Sequence, residues 1–295
     1  MPTTHEIDPT IAALARDIQG CPICSTPEFR VVRVEPEGKL VRCRSCRFMY
    51  VSPRPTAGEL KALYDNEYFS HAELASCLSF RAPVFSQCLR RLDHLVSGGQ
   101  RLLDVGCGTG EFVAHAISEG WDAVGIESSA MAAEFARVES HLPVQQAVLE
   151  TAPFPASSCD AVTLLDVLEH LRQPREELAR VFALLKPGGV AVVRLPNTLF
   201  HLPKARLISR LGISESSLEM RYHLNHFTPE TLSRLLRMVG FEVLSIEVGA
   251  PETRPHAAWA NPRAKRMYVS AATMLHSLTR INLGNIMVAY ARKPL

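Results

Sequence analysis

An excess of charge of either sign is missing from this sequence. Its 295 residues carry 32 Lys and Arg against 30 Asp and Glu, a formal net charge of +2. Nothing in that balance calls for a nucleic-acid partner or a charged membrane surface. Also missing is any uninterrupted run of about eighteen apolar residues, which argues against a transmembrane helix. The opening MPTTHEIDPTIAALARDIQG has neither a basic start nor a long apolar run, so no signal peptide is expected. Internal repeats and low-complexity segments are absent as well. What remains is 47% apolar and 21% charged, the composition of a soluble globular chain with one large domain and room for a small one. The expected compartment is the cytoplasm, where thiols bind metal more often than they pair.

Four of the eight cysteines are spaced for that purpose. Cys21-Pro-Ile-Cys24 and Cys43-Arg-Ser-Cys46 are two C-x2-C pairs separated by 18 residues. Each pair suits one tight knuckle, and together they offer four thiolates to a single tetrahedral Zn²⁺. With every position filled by protein, such a zinc would be structural. Cys77, Cys88, Cys107 and Cys159 show no such pairing and read as small apolar residues.

The chain divides into a helix and ribbon over 1–52, a helical linker over 53–98 and an α/β domain over 99–295. A short helix is expected over 9–19. The strand-like runs RVVRV and KLVRC flank a Glu-Pro-Glu-Gly turn, and Thr56 with Glu59 fits a capping box. A longer helix over roughly 72–96 ends at Ser97-Gly98-Gly99. Beyond Arg101, the apolar runs RLLDV, DAVGI, VQQAV, AVTLL, VAVVRL, EVLSIEV and NIMVAYA alternate with helical segments at 110–119, 129–138, 174–185 and 229–239. For the last of these, Thr228 is the expected N-cap, Pro229 the first residue and Gly240 the terminator. The alternation predicts a parallel sheet covered on both faces, with the ligand at the carboxyl ends of its strands. Lys186-Pro187-Gly188-Gly189 reads as a turn without chemistry.

The segment LLDVGCGTGEF places Gly106, Gly108 and Gly110 at alternate positions at a strand-to-helix turn. Dinucleotide sites use G-x-G-x-x-G and aim a helix N-terminus at pyrophosphate. Asp104, just before the glycines, would repel a phosphate. Glu127, 23 residues further on, ends the second strand, where an acid accepts both hydroxyls of a ribose. NAD and S-adenosylmethionine both carry that ribose; the glycine spacing and Asp104 favour the ligand without phosphates. Together with VGIE, CDAVTLLDVLEHL, LLKPGGVAVV and NHFTPETLSRLLRMVGFEV, this segment resembles the class I S-adenosylmethionine-dependent methyltransferases over roughly residues 56–295. The resemblance implies a seven-stranded Rossmann-like sheet, mostly parallel, whose last strand is antiparallel. It also implies that Asp104 and the backbone of Gly106, Cys107, Gly108 and Gly110 face the methionine part of the donor, with Glu127 and Ser128 at the ribose. Many members use an Asp after the third strand to reach the adenine; here Val148 stands in its place, leaving Leu149 backbone groups or Glu150 for that contact.

Asp166-Val-Leu-Glu169-His170 follows the fourth strand, on the acceptor side. In a helical turn, positions i, i+3 and i+4 share a face, which would gather two carboxylates and an imidazole beside the donor. His223 and His226 follow later, on a loop. In one reading His170 or His226 is a general base for an attacking hydroxyl, with a carboxylate to orient it. In the other, Asp166, Glu169, His170 and His226 bind a divalent cation such as Mg²⁺, which positions the hydroxyl and lowers its pKa. The arrangement is similar to the E-x-x-E-H and distant His of small-RNA 2′-O-methyltransferases, and to ubiquinone-pathway O-methyltransferases, with Asp166 in place of a Glu. Asp166 also counts among the donor-facing residues.

Acceptor pockets would come from 56–96, 197–226 and 250–282, with Tyr64, Tyr68, Phe69, Phe200 and Tyr222 as candidate lining. The favoured reading is O-methylation of a small-molecule, sugar-linked or lipid-linked acceptor. A ribbon that grips RNA through Arg42, Arg44 and Arg47 is the alternative, and three arginines on a balanced chain support it thinly. A non-catalytic S-adenosylmethionine-binding protein is a third, opposed by the intact glycine motif and Glu127.

Overall fold

The computed structural model describes residues 20–63, 81–96, 100–212, 218–252, 262–279 and 281–295. The helix expected over 9–19, much of that over 72–96, Cys77, and the candidate aromatics Tyr64, Tyr68 and Phe69 lie outside them. Three strands open the chain: β1 (Phe29–Glu35), β2 (Gly38–Cys43) and β3 (Met49–Ser52). Helix α1 (Ala57–Leu63) follows, with Thr56 and Glu59 capping each other as the capping-box spacing predicts. Then come α2 (Ala82–Leu95), β4 (Arg101–Val105), α3 (Glu111–Ser118), β5 (Asp122–Glu127), α4 (Ala130–Glu134, continued as a π-turn) and β6 (Val144–Gln146). After them lie β7 (Cys159–Leu165), α5 (Pro174–Leu184), β8 (Leu185–Pro196), α6 (Thr198–Arg210) and β9 (Asn225–His226). The chain closes with α7 (Pro229–Val239), β10 (Glu242–Val248), α8 (Pro262–Thr279) and β11 (Ile286–Arg292).

The main sheet has the order β10-β11-β8-β7-β4-β5-β6. Strands β4 to β8 pair in parallel, and β11 runs antiparallel to both β8 and β10. That matches the expected seven-stranded sheet. Its strands are long apolar runs because both faces are covered. On one face lie Val84, Phe85, Leu89 and Leu92 of α2 with Phe112 and Val113 of α3. On the other lie Leu178 and Val181 of α5 with Leu232, Leu235 and Leu236 of α7. Thr228 caps α7 through the backbone N–H of Thr231, and Gly240 ends that helix in a left-handed conformation at φ +112°. The Lys186–Gly189 segment lies within β8 itself, with Gly188 at φ +80° absorbing its bend.

The ribbon is less separate than the spacing of its cysteines suggests. Strand β9, unforeseen in the sequence, adds to the ribbon sheet in the order β1-β2-β3-β9, pairing Met49 with His226 and Tyr50 with Asn225. Cys21, Ile23, Val41, Cys43, Cys46, Phe48 and Tyr50 belong to the same buried cluster as α5, α7 and the main sheet. Phe48 packs on Phe227 with ring centroids 4.8 Å apart, and both are fully buried. Phe48→Ala is therefore expected to cost about 3–5 kcal/mol. Urea unfolding followed by tryptophan emission (Trp121 lies in the main domain) should show the whole transition moving, not an early ribbon phase.

Candidate active site

Strand β4 ends in the glycine turn, and its three glycines all take left-handed backbone: φ is +67° at Gly106, +55° at Gly108 and +82° at Gly110. Two of them are also needed for space. A Cβ on Gly106 would lie 2.6 Å from Val167, and one on Gly110 would lie 2.7 Å from Leu142. The turn is tied to the second strand by Glu127, which is buried and accepts from the N–H of Gly108 at 2.9 Å and of Ser129 at 2.8 Å. The hydroxyl of Ser128 donates to the same carboxylate at 3.2 Å. These bonds orient Glu127 and leave its oxygens with further lone pairs for hydroxyl donors. Asp104 sits deeper, bonded to the Thr163 hydroxyl at 2.6 Å. Burial pushes its carboxyl up to about 7; the Thr163 bond and the Arg81 charge pull it down, and Glu127 adds to the rise. A cradle of left-handed glycines flanked by two buried acids suits a cationic nucleoside ligand with free ribose hydroxyls. Leu149 is buried and Glu150 exposed at the end of the third parallel strand. Cys107 and Gly125 pack so closely that a Cβ on the glycine would lie 2.5 Å from the thiol sulfur.

Where β7 ends, the structure departs from the helical turn pictured from the sequence. Asp166 takes a left-handed conformation, φ +62°, and the residues after it form an irregular turn. Its carboxylate pairs with Arg194 of β8 and with Arg81 at 2.5 Å. Arg194 also reaches Glu252 at 3.0 Å, and is itself fully buried. A buried guanidinium needs counter-charge, so Asp166 is engaged by the arginines, and its carboxylate is not among the ligand atoms that converge with Glu169 and His170.

The group that does converge is Glu169, His170 and His223, whose ligand atoms all lie within 4.8 Å of one another. His170 Nδ1 is 3.0 Å from the Tyr222 carbonyl oxygen. A carbonyl can only accept, so Nδ1 carries the proton and Nε2 is the basic nitrogen. Burial holds His170 below its ordinary pKa. His223 is pushed well below by burial and by the neighbouring His170, His226 and His201. Glu169 is buried with no hydrogen-bond partner on either carboxylate oxygen, and burial, then Asp166, raise its pKa well above the ordinary range. An orphaned buried carboxylate beside two neutral imidazoles can hold a divalent cation or share a proton. His226, expected in this cluster, is placed outside it: it lies on β9, buried, with its pKa lowered to about 4 by burial.

The four cysteines meet as their spacing predicts. Cys21 and Cys46 sulfurs are 3.5 Å apart, and those of Cys24 and Cys43 are 3.6 Å apart. A tetrahedron of about 2.3 Å Zn–S bonds has edges of about 3.8 Å, so the set fits zinc. Each knuckle turns through a left-handed residue, Ser25 at φ +60° and Arg47 at φ +65°. Of the ribbon arginines, Arg42 is half-buried and donates to the Arg47 carbonyl, so it is turned partly inward.

Three contributors escaped sequence reasoning. His223 stands three residues from His226, so either could have been chosen. Arg194 was visible only as a charge inside the apolar run VAVVRL, a burial signal without a stated partner. Arg54 gave no signal at all. Of the candidate aromatics, Phe200 stacks near His201 and Tyr268, and Tyr222 contributes its carbonyl to His170. Among the described residues, no helix is long and apolar enough to cross a membrane.

The strand order with antiparallel β11, the glycine turn on β4 and the acid ending β5 define a Rossmann-like methyltransferase architecture. The chain belongs to the methyltransferase domain family, whose model matches residues 79–246. It is 34% identical over 138 residues to the ubiquinone biosynthesis O-methyltransferase of Alkalilimnicola ehrlichii, covering 45% of this chain and 53% of that protein. It is 33% identical over 126 residues to the same-named protein of Nitrosococcus oceani, covering 41% of this chain and 52% of that one. The chain thus spans about half the length of these relatives. In shape it is similar to the Burkholderia thailandensis 1,6-didemethyltoxoflavin-N1-methyltransferase, a structure with bound 1,6-didemethyltoxoflavin and S-adenosylhomocysteine. The TM-score is 0.56 at 15% identity, covering 91% of this chain and 100% of that one, a likeness of fold.

Arg194 tests the charge arrangement directly. Arg194→Met should leave Asp166 and Glu252 to Arg81 and cost about 1–3 kcal/mol in urea unfolding. Arg194→Met combined with Asp166→Leu should recover part of that loss.

Proposed function

We propose that this protein transfers a methyl group from S-adenosylmethionine to an oxygen of a small-molecule, sugar-linked or lipid-linked acceptor. The observation that carries the reading is the pairing of two sites on one sheet edge. Glu127, oriented by Gly108 and Ser129, lies with Asp104 on the donor side, and the Glu169–His170–His223 cluster lies on the acceptor side. The names of the relatives support oxygen as the atom methylated.

S-adenosylmethionine supplies a methyl group already activated on a sulfonium, so the protein must chiefly align the partners and take up a proton. Asp104 would face the cationic methionine part, with the Gly106–Gly110 backbone beside it, and Glu127 would receive the ribose hydroxyls. His170 Nε2 is the proton acceptor of choice, because its tautomer is set by Tyr222 and burial keeps it neutral at pH 7. As the acceptor oxygen bonds to the methyl carbon and the carbon–sulfur bond breaks, His170 would receive the hydroxyl proton, leaving S-adenosylhomocysteine. A second reading is favoured by the orphaned oxygens of Glu169. In it, Glu169, His170 and His223 hold a divalent cation, Mg²⁺ or a metal better suited to imidazole, which would lower the pKa of the acceptor hydroxyl. The four ribbon thiols would hold one structural Zn²⁺. Unbridged thiols throughout the described residues support a reducing compartment such as the cytoplasm.

Donor affinity should depend on the ionisation of Asp104, whose carboxyl is pushed up to about 7. The cationic donor favours the carboxylate, so binding below that pKa must release a proton. Affinity measured by calorimetry should fall about 10-fold from pH 8 to pH 6, and Asp104→Asn should abolish the dependence. Gly108→Val, which puts a β-branched residue in left-handed backbone, should weaken donor binding by roughly 100-fold or more. Calorimetry that finds wild-type binding of NADH and none of S-adenosylmethionine would reject the assignment.

The acceptor side is tested by turnover, read as S-adenosylhomocysteine release with a panel of phenols, sugars and lipid-linked sugars. His170→Ala should lower it roughly 10²-fold while leaving donor affinity nearly intact. If a cation assists, His223→Ala should match that loss, and a chelator that spares the ribbon zinc should reproduce it reversibly. Full turnover in both variants would sink both versions of the acceptor-side chemistry.

A further inference from the structure

The irregular turn that carries Glu169 and His170 has little support of its own. It leaves β7 through the left-handed Asp166, and its one local backbone bond runs from the His170 N–H to the Val167 carbonyl at 2.9 Å. The carbonyls of Leu168, Glu169, Leu171 and Arg172 are claimed from outside. Asn225 Nδ2 donates to Leu168 O at 2.9 Å and to Leu171 O at 2.6 Å, and the Asn225 N–H donates to Glu169 O at 2.9 Å. Arg54 Nη2 donates to Leu171 O at 3.0 Å, to Arg172 O at 2.8 Å and to the Asn225 side-chain oxygen at 3.1 Å. Its Nη1 reaches Leu224 O at 3.3 Å, and Arg172 returns a bond to Pro55 O at 2.8 Å.

Both holders belong to the ribbon or are fastened to it. Arg54 stands two residues after β3, only 3% exposed, and Asn225 is the β9 residue paired with Tyr50. The Val51 N–H donates to the Leu224 carbonyl at 2.9 Å, continuing that pairing. The segment so fixed also carries His223. Among the described residues, the hydrogen bonds of Arg54 all go to neutral acceptors. Its guanidinium is held by backbone and amide oxygens, and a ribbon occupied by metal would brace β3 and, with it, that arginine.

We propose that the cysteine ribbon is a positioning element for the acceptor side: through Arg54 and the β3–β9 pairing, its metal-loaded state sets the placement of Glu169, His170 and His223. The inference rests on the reading of those three residues as the reactive cluster and of the ribbon as a zinc site. Arg54 is a positioning residue, since it touches backbone carbonyls and none of the reacting groups.

The test uses the full chain labelled with ¹⁵N-histidine, and reads three quantities for each variant: zinc content, S-adenosylmethionine affinity, and the imidazole signals of His170 and His223 across pH. Arg54→Met should keep its zinc and bind the donor within about 2-fold of wild type. Its His170 and His223 signals should shift as the turn that carries His170 loosens. Arg54→Lys, which retains the charge and three donors, should restore the signals in part. Asn225→Ala should shift the same histidines, and stripping the ribbon zinc from wild type should do so too. Unchanged histidine signals in Arg54→Met, or after zinc removal, would overturn the proposal. So would loss of donor affinity in parallel with the histidine shifts, which would mean that the ribbon does not act on the placement of Glu169, His170 and His223 in particular. Because none of these readouts is turnover, a cluster that proves to have no part in methyl transfer would be recognised separately, by His170→Ala at full activity.

Discussion

Parallel pairing of β4, β5, β7 and β8 brings their carboxyl ends to a single edge, and that constraint decides where all the polar chemistry of this chain can go. The strands themselves are buried on both faces and have no room for a charge that lacks a partner. At the edge, backbone must leave the sheet through turns whose N–H and C=O groups need new partners. The glycine turn after β4 finds them in the Ile126 carbonyl and in Glu127. The turn after β7 finds them in Arg54 and Asn225. The glycine turn and the turn that carries Glu169 and His170 are thus neighbours, because two adjacent parallel strands end together.

The acids along that edge are held in three different electrostatic states. Glu127 is buried yet well supplied with backbone donors. Asp166 is matched by two arginines, one fully buried and one partly exposed. Among the described residues Glu169 has no donor, and burial, then Asp166, raise its pKa well above the ordinary range. One carboxylate is thus held by backbone donors, one by an ion pair and one by neither. The histidines follow the same logic: burial holds both His170 and His226 below their ordinary pKa, His170 with its tautomer set by Tyr222 and His226 drawn into β9.

Much of this was legible in the sequence, for reasons of chain locality. Glycines at alternate positions, an acid at the next strand end, a Thr–Pro helix start and paired C-x2-C knuckles are all devices complete within a few residues. The strand–helix alternation required a parallel sheet, and the capping of α1 and α7 followed from spacing alone. The acid–histidine cluster was read less well. Asp166, Glu169 and His170 were grouped by helical spacing, but a left-handed Asp166 breaks that geometry because Arg194, on another strand, claims its carboxylate. Between His223 and His226, three residues apart, the β9 pairing decides: it draws His226 into the ribbon sheet and leaves His223 beside Glu169.

By itself, the sequence determined the fold class, the donor-side turn and the four-cysteine knuckles, since each depends on local backbone preference or on ligands close along the chain. Tertiary structure alone decided which acid is neutralised, which histidine joins the cluster, and that the ribbon sheet takes in β9. The physical reason is that burial makes charges and carbonyls find partners, and those partners can lie far apart in the chain, as Arg54 and Asn225 do at 171 residues. No periodicity or spacing rule reaches across that distance.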